Sequence, residues 1–351
     1  MINSQKAFGI GIAGCGSISD THAEAILQTK RGKLVSVFSR SAPNRERLTG
    51  NYDLTGFSDY SEFLSQPDLH IVVICTPSGN HLEYGMAAAE AGKHVVVEKP
   101  IEINTERGGK LITHCKKHNV KLAVIYQNRF FEQVVRMKKS IDNGEIGSVF
   151  MASGSVKWYR DQEYYSGSPW RGTLDLDGGG ALINQSIHTI DLLQWFNGGV
   201  KSVLGFKGTY THDGIEGEDN AVAALKFNNG AIGVFEASTS INPPQQRTIE
   251  IHGEIGTALL DGDIFRVQKA GNGNEDEMAR EKDSAGASSP LAGMTYENHK
   301  QQYDRILEAI QNDYTPPVSG EESLQSLAVV EAIYRSAKEG RQVDIEELLT
   351  V

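Results

Sequence analysis

Apolar residues follow two different rhythms along this chain. From Phe8 to Ile125, short apolar runs alternate with stretches of helical spacing. Phe8-Gly9-Ile10-Gly11-Ile12-Ala13 is the first run, Leu34 to Phe38 the second, and Ile71 to Cys75 and Val95 to Val97 are later ones, with Val120 to Ile125 as a sixth strand. Between them the pattern predicts a helical run from Ala23 to Leu27, a helix from Ser78 to Ala91 ended by Gly92, and another from Thr105 to His118 begun by Asn104 as cap. Strand and helix in this order build a parallel, doubly wound sheet, so residues 1–125 read as an α/β domain.

Beyond residue 125 the rhythm changes. A helix-like stretch from Arg129 to Ile141 precedes a strand from Val149 to Lys157 and a helix from Ala181 to Phe196. Alternating strands at Asn220 to Phe227 and Ala231 to Ala237, joined by Asn228-Asn229-Gly230, and strand-like runs to Val267 predict a mostly antiparallel sheet. The polar stretch Ala270 to Pro290 has few large apolar residues and reads as a mobile loop. Helices over Thr295 to Gln311 and Glu322 to Lys338 close the chain, with no internal repeat or heptad run. Residues 126–351 therefore read as a second, α+β domain that covers the substrate.

Composition narrows the partners. With 351 residues the chain has room for two domains with sizeable cores, and its net charge of −11 with few basic clusters argues against nucleic acid or an anionic membrane. No apolar run reaches the ~18 residues that span a bilayer, and the start lacks a basic region followed by an apolar core, so the expected location is the cytoplasm. Cys15, Cys75 and Cys115 are odd in number and lack metal-like spacing, which predicts buried, reduced thiols and no metal.

Four segments carry candidate chemistry. In Gly14-Cys15-Gly16-Ser17-Ile18-Ser19, between strand and helix, Gly14 permits a tight turn and Gly16 lets backbone amides approach a pyrophosphate at the positive end of the helix; Ser19 stands where a third glycine is usual. In Cys75-Thr76-Pro77-Ser78-Gly79-Asn80-His81, Pro77 fixes the chain direction and Thr76 can face a ribose or nicotinamide, while a plain helix cap is the alternative. Glu98-Lys99-Pro100 ends an apolar strand, where Lys99 reads as a catalytic lysine and Glu98 orients it, lines the cofactor cleft or is a surface carboxylate. In Asp177-Gly178-Gly179-Gly180 through Asn184 and His188, the glycines let backbone approach a ligand, and Asn184 and His188, four apart, share a helix face; a core histidine bonded to Asp191 is the competing account.

These motifs, in this order and spacing, resemble the family of glucose-fructose oxidoreductase, inositol dehydrogenase and MocA-like NAD(P)-dependent sugar dehydrogenases over nearly the whole chain. The resemblance implies a Rossmann domain, a C-terminal domain with an open mixed sheet that forms the contact of a homodimer or homotetramer, and Lys99 and His188 as the catalytic pair. It also implies that Tyr126-Gln127-Asn128-Arg129 crosses between the domains near the nicotinamide. Many members have Asp four residues before the histidine, whereas this chain has Asn184. His188 suits proton removal from an alcohol and Lys99 stabilisation of the charge on its oxygen, though either could be the formal base.

The segment Trp158-Tyr159-Arg160 to Tyr165, with Trp170-Arg171-Gly172, offers aromatic faces for a sugar ring and two arginines for a carboxylate or phosphate; a packed loop with solvent-facing arginines is the alternative. This stretch is similar to UDP-N-acetylglucosaminuronate 3-dehydrogenases of the family, which implies a free or nucleotide-linked uronate. After the second strand, Val37-Phe38-Ser39-Arg40-Ser41 carries no carboxylate to repel a 2′-phosphate, so NADP(H) is favoured over NAD(H). A dinucleotide-sensing regulator without turnover stays open as the other reading of the same fold.

Overall fold

The computed structural model describes residues 7–269 and 295–349. The expected mobile stretch 270–290 lies outside them. The chain divides into two compact units, one holding residues up to 102, 107–127 and 295–323, the other holding 103–106, 128–269 and 324–349.

In the first unit six strands form a wholly parallel sheet: β1 (Phe8–Ala13), β2 (Gly32–Phe38), β3 (Thr55–Phe57), β4 (Ile71–Ile74), β5 (His94–Val97) and β6 (Leu122–Val124), in the order β3-β2-β1-β4-β5-β6. The expected strands and helices of this half are present. Strand β3 was not foreseen, because three residues are too few for a hydrophobic period to register. Strand order reverses about β1, which lies between β2 and β4, so the carboxyl ends of β1 and β4 border the crevice where such sheets take ligands.

Ile10, Ile12, Ile71, Val73 and Val96 build one core with Ala23 and Ile26 of helix Ser19–Leu27 and with Tyr303, Ile306 and Leu307 of helix Glu297–Gln311. The spacing of those last three residues puts them on one helix face, and burying it against the first core places this late helix in the first unit, although its sequence position put it in the domain after residue 125. Cys15, Cys75 and Cys115 are all buried free thiols, as expected.

The second unit contains β7 (Val149–Lys157), β8 (Val200–Gly208), β9 (Asn220–Phe227), β10 (Ile232–Ser238), β11 (Thr248–Gly253), β12 (Gly256–Asp261), β13 (Ile264–Lys269) and β14 (Val343–Asp344), ordered β13-β12-β11-β7-β10-β9-β8-β14. Only β7 and β10 pair in parallel, so the sheet is mostly antiparallel. Alternation decides its two faces: Ala221, Ala223, Leu225 and Phe227 of β9 point inward, while Val222, Ala224 and Lys226 point out. Helix Ile187–Phe196 packs inside, with Leu193 against Gly154 of β7, and Ile333 of helix Gly320–Glu339 lies on Gly205 of β8. The opposite face exposes Leu204, Phe206, Val222, Ile232 and Val234. Among the described residues no helix is long and apolar enough to cross a membrane.

Candidate active site

The first unit gathers its candidates at the carboxyl ends of β1, β4 and β5. Gly14 has φ +105°, and a Cβ there would lie 2.7 Å from the Cys75 backbone, so both the turn and the approach of β4 require glycine. A Cβ at Gly16 would meet nothing within 4 Å. Gly16 and Ser17 are exposed before helix Ser19–Leu27, whose N-cap is Ile18, and Ser19 closes the turn by donating to the Gly16 carbonyl. Open space above backbone amides at a positive helix end fits a pyrophosphate.

At the end of β4 the Thr76 hydroxyl is buried and makes no hydrogen bond to the described residues. Such a group calls for a polar ligand, in keeping with the ribose or nicotinamide expected there. Asn80, half-buried, follows Pro77 in a short 3-10 turn. His81 is buried and sits 3.0 Å from the carbonyls of both Thr76 and Pro100, so it braces the loop and both ring nitrogens face protein.

At the end of β2, Ser39 is buried and its hydroxyl accepts from the Ser41 amide at 3.2 Å, whereas Arg40 is exposed. Two arginines not foreseen stand beside them. Arg45 donates to the Ser39 carbonyl at 2.7 Å, and Arg47 donates to the Cys15 carbonyl at 3.2 Å and pairs with Asp20 at 2.5 Å. The crevice is thus more basic than the glycine motif alone implied.

Glu98, next to the half-buried Lys99, is no surface carboxylate. Its Oε1 lies 2.8 Å from Nε2 of His22, and its Oε2 accepts from the Lys99 amide at 3.1 Å. Burial pushes this carboxyl up, but His22, His299 and Lys99 together outweigh it and hold it down at about 2. His22 Nδ1 lies 2.7 Å from the Tyr303 hydroxyl. His299 stands 4.0 Å from Glu98, and burial followed by repulsion from His22 pushes it down to about 3. His22, His299 and Tyr303 escaped the sequence reading because two helices far apart in the chain supply them.

In the second unit the helix expected over Ala181 to Phe196 begins with a π turn, Ala181–Ser186, before the α-helix Ile187–Phe196. Glu218 sets this start: its carboxylate accepts from the Leu182 amide at 2.8 Å and from the Tyr334 hydroxyl at 3.1 Å. The glycines before it also let backbone approach protein. A Cβ at Gly179 would fall 2.3 Å from the Tyr334 hydroxyl, and one at Gly180 would fall 1.9 Å from the Glu218 carbonyl oxygen. Asp191 is bound up with Arg129 through two 2.7 Å contacts and with Ser326, so its carboxylate serves the core. His188 and Asn128 are half-buried.

Asn184 belongs to a dense polar group. It donates to Asp177 at 2.5 Å and accepts from Gln185 at 2.6 Å, and Gln185 also donates to the Tyr164 hydroxyl at 2.8 Å. Arg160 is buried, donating to the Tyr159 carbonyl and to Gln185, with its guanidinium 5.2 Å from the Trp158 ring. Arg171 lies with its guanidinium 4.2 Å from the Tyr164 ring and 5.4 Å from that of Trp170, and its Nε makes no hydrogen bond. Tyr159, Arg160, Trp170, Arg171 and Asn184 are therefore neighbours through Tyr164 and Gln185, two residues the motif search passed over.

An alternating α/β unit with a glycine turn, an open helix end and a lysine closing a later strand defines an NAD-binding oxidoreductase. The chain belongs to the Gfo/Idh/MocA oxidoreductase family: residues 8–126 match its NAD-binding Rossmann fold and residues 138–345 its C-terminal alpha/beta domain. Its fold is similar to that of the WlbA dehydrogenase from Bordetella pertussis in complex with NADH and UDP-GlcNAcA, at 33% identity and a TM-score of 0.84, over 97% of this chain and 99% of the other. It is 25% identical to myo-inositol 2-dehydrogenase of Thermotoga maritima over 97% of this chain and 99% of that one. It is also 26% identical to the scyllo-inositol 2-dehydrogenase (NADP(+)) IolW of Bacillus subtilis over 82% of each.

Proposed function

We propose that this protein moves a hydride between a nicotinamide and a secondary hydroxyl of a sugar uronate, free or nucleotide-linked. The observation that carries the reading is Arg171, a guanidinium stacked on Tyr164 with an Nε that none of the described residues takes up, in a chain similar to a dehydrogenase held with a nucleotide-linked uronate. A stacked guanidinium offers paired donors to a carboxylate while its aromatic neighbours offer faces to a sugar ring.

A nicotinamide dinucleotide at the glycine turn would supply the hydride chemistry. Gly14, Gly16, Ser17 and Ile18 would hold its pyrophosphate, and Thr76, Pro77, Asn80 and Asn128 would line its ribose and nicotinamide end. Lys99 donates to the reacting oxygen and His188 takes its proton. Asn184, locked between Asp177 and Gln185, exchanges no proton and instead presents its amide to a sugar hydroxyl. At the adenosine end, exposed Arg40 with Arg45 nearby, and no carboxylate at the end of β2, favour NADP(H).

The outward face of the eight-stranded sheet supports self-association. Phe206 and Val222 pair across β8 and β9, and Leu204 and Val234 both flank Ala224, an apolar patch of the kind that a second copy covers. The test of function is turnover: UDP-N-acetylglucosaminuronate should change nicotinamide absorbance, and its neutral parent UDP-N-acetylglucosamine should be at least about tenfold slower in kcat/KM, as loss of one charge-assisted contact requires. Equal rates on both overturn the uronate assignment.

A further inference from the structure

Tyr303, His22 and Glu98 form a hydrogen-bonded chain, drawn from helix Glu297–Gln311, helix Ser19–Leu27 and the end of β5, and the chain stops at the residue before Lys99. Tyr303 and His22 are fully enclosed, and the Glu98 side chain is 12% exposed. Burial pushes the Cys75 thiol and the Tyr303 hydroxyl far up, so both stay neutral, and His299 is neutral above about 3. Glu98 accepts from two sides, the Lys99 amide at Oε2 and His22 at Oε1; because a carboxylate only accepts, the proton of the His22 contact sits on Nε2.

An isolated ion in so enclosed a place would give up its charge unless neighbours held it. A chain that ends on this carboxylate does more than pack. We propose that Tyr303 and His22 are positioning residues that fix Glu98 as an oriented anion beside Lys99, so that Lys99 works as a permanent ammonium donor and not as the base. This deepens the proposed function and rests on the reading that Lys99 acts on the reacting oxygen. An opposite charge close by raises the pKa of an ammonium, and its removal typically lowers it by about 1–3 units.

The deciding measurement is the titration of Lys99 itself in the full-length protein, by pH-dependent labelling with acetic anhydride and peptide mass spectrometry, which requires no turnover. Glu98→Gln removes the charge and should lower the Lys99 midpoint by about one unit or more, a tenfold change in the ratio of charged to neutral amine. Glu98→Asp keeps the charge and should restore most of the wild-type value, and Tyr303→Phe should lower it by a smaller amount. With UDP-N-acetylglucosaminuronate as substrate, the alkaline limb of kcat/KM should move down with the labelling midpoint, because activity is lost as pH rises through the lysine. A midpoint in Glu98→Gln within about 0.3 unit of wild type overturns the proposal. Should that variant not fold, an unchanged midpoint in Tyr303→Phe overturns it instead. Wild-type turnover in Lys99→Met refutes the reading of Lys99 separately, since the labelling result does not depend on it.

Discussion

His299 should make the first unit acid-labile well before its carboxylates titrate. The side chain is fully buried, its ring nitrogens make no hydrogen bond of good geometry to the described residues beyond a weak approach to the Thr295 backbone, and its ring meets that of His22 edge-on at 5.2 Å. Burial and then repulsion from His22 push it from the ordinary 6.5 down to about 3, opposed by Glu98 and the Thr295 backbone. Between these limits the unfolded chain binds a proton that the folded chain refuses, so stability is full above about 6.5 and falls as the pH drops. From about pH 7 to pH 5 the loss from this one group is about 2 kcal/mol, or about 4–8 °C in the melting temperature of a unit of this size. His299→Leu removes the titration and replaces an unsatisfied polar ring with apolar volume, so it should melt at or above the wild-type temperature near neutral pH and fall less in acid. Calorimetric melts of both proteins at several pH values provide the assay. Parallel curves over that interval would refute the argument, because the histidine would then titrate alike in both states.

Lys99→Ala should lower turnover by about two to four orders of magnitude with little change in cofactor affinity, and His188→Ala should do the same; near-normal turnover in both sinks the catalytic pair. Arg171→Ala should raise the apparent constant for a uronate by about ten- to a hundredfold in steady-state kinetics and barely affect its neutral parent sugar. Direct binding should show NADP(H) held more tightly than NAD(H), and Arg40→Ala should narrow that difference; tighter NAD(H) binding refutes the preference. Gly180→Ala drives a Cβ into the Glu218 carbonyl oxygen at 1.9 Å, backbone that cannot swing aside, and should cost about 1–3 kcal/mol or more in thermal melts.

Much of the fold was written locally. Apolar runs of strand length, glycines and caps between them, and the strict alternation of Asn220–Phe227 are properties of neighbouring residues, and they determined the parallel sheet, the mostly antiparallel one and the position of Gly14, Thr76 and Lys99 at strand ends. Three residues are too few to show a period, so β3 was invisible. What the sequence left open turned on partners distant along the chain. Gly178-Gly179-Gly180 reads the same whether a ligand or a protein group comes near; only the fold brought Glu218 and Tyr334 to it. Glu98 could be a surface charge or a buried one until His22, 76 residues away, and Tyr303, 281 residues from His22, closed around it. Periodicity reports which face of an element is buried, but not against what. Hydrogen-bond partners and the energies of buried charges depend on that second fact, and tertiary structure alone supplies it.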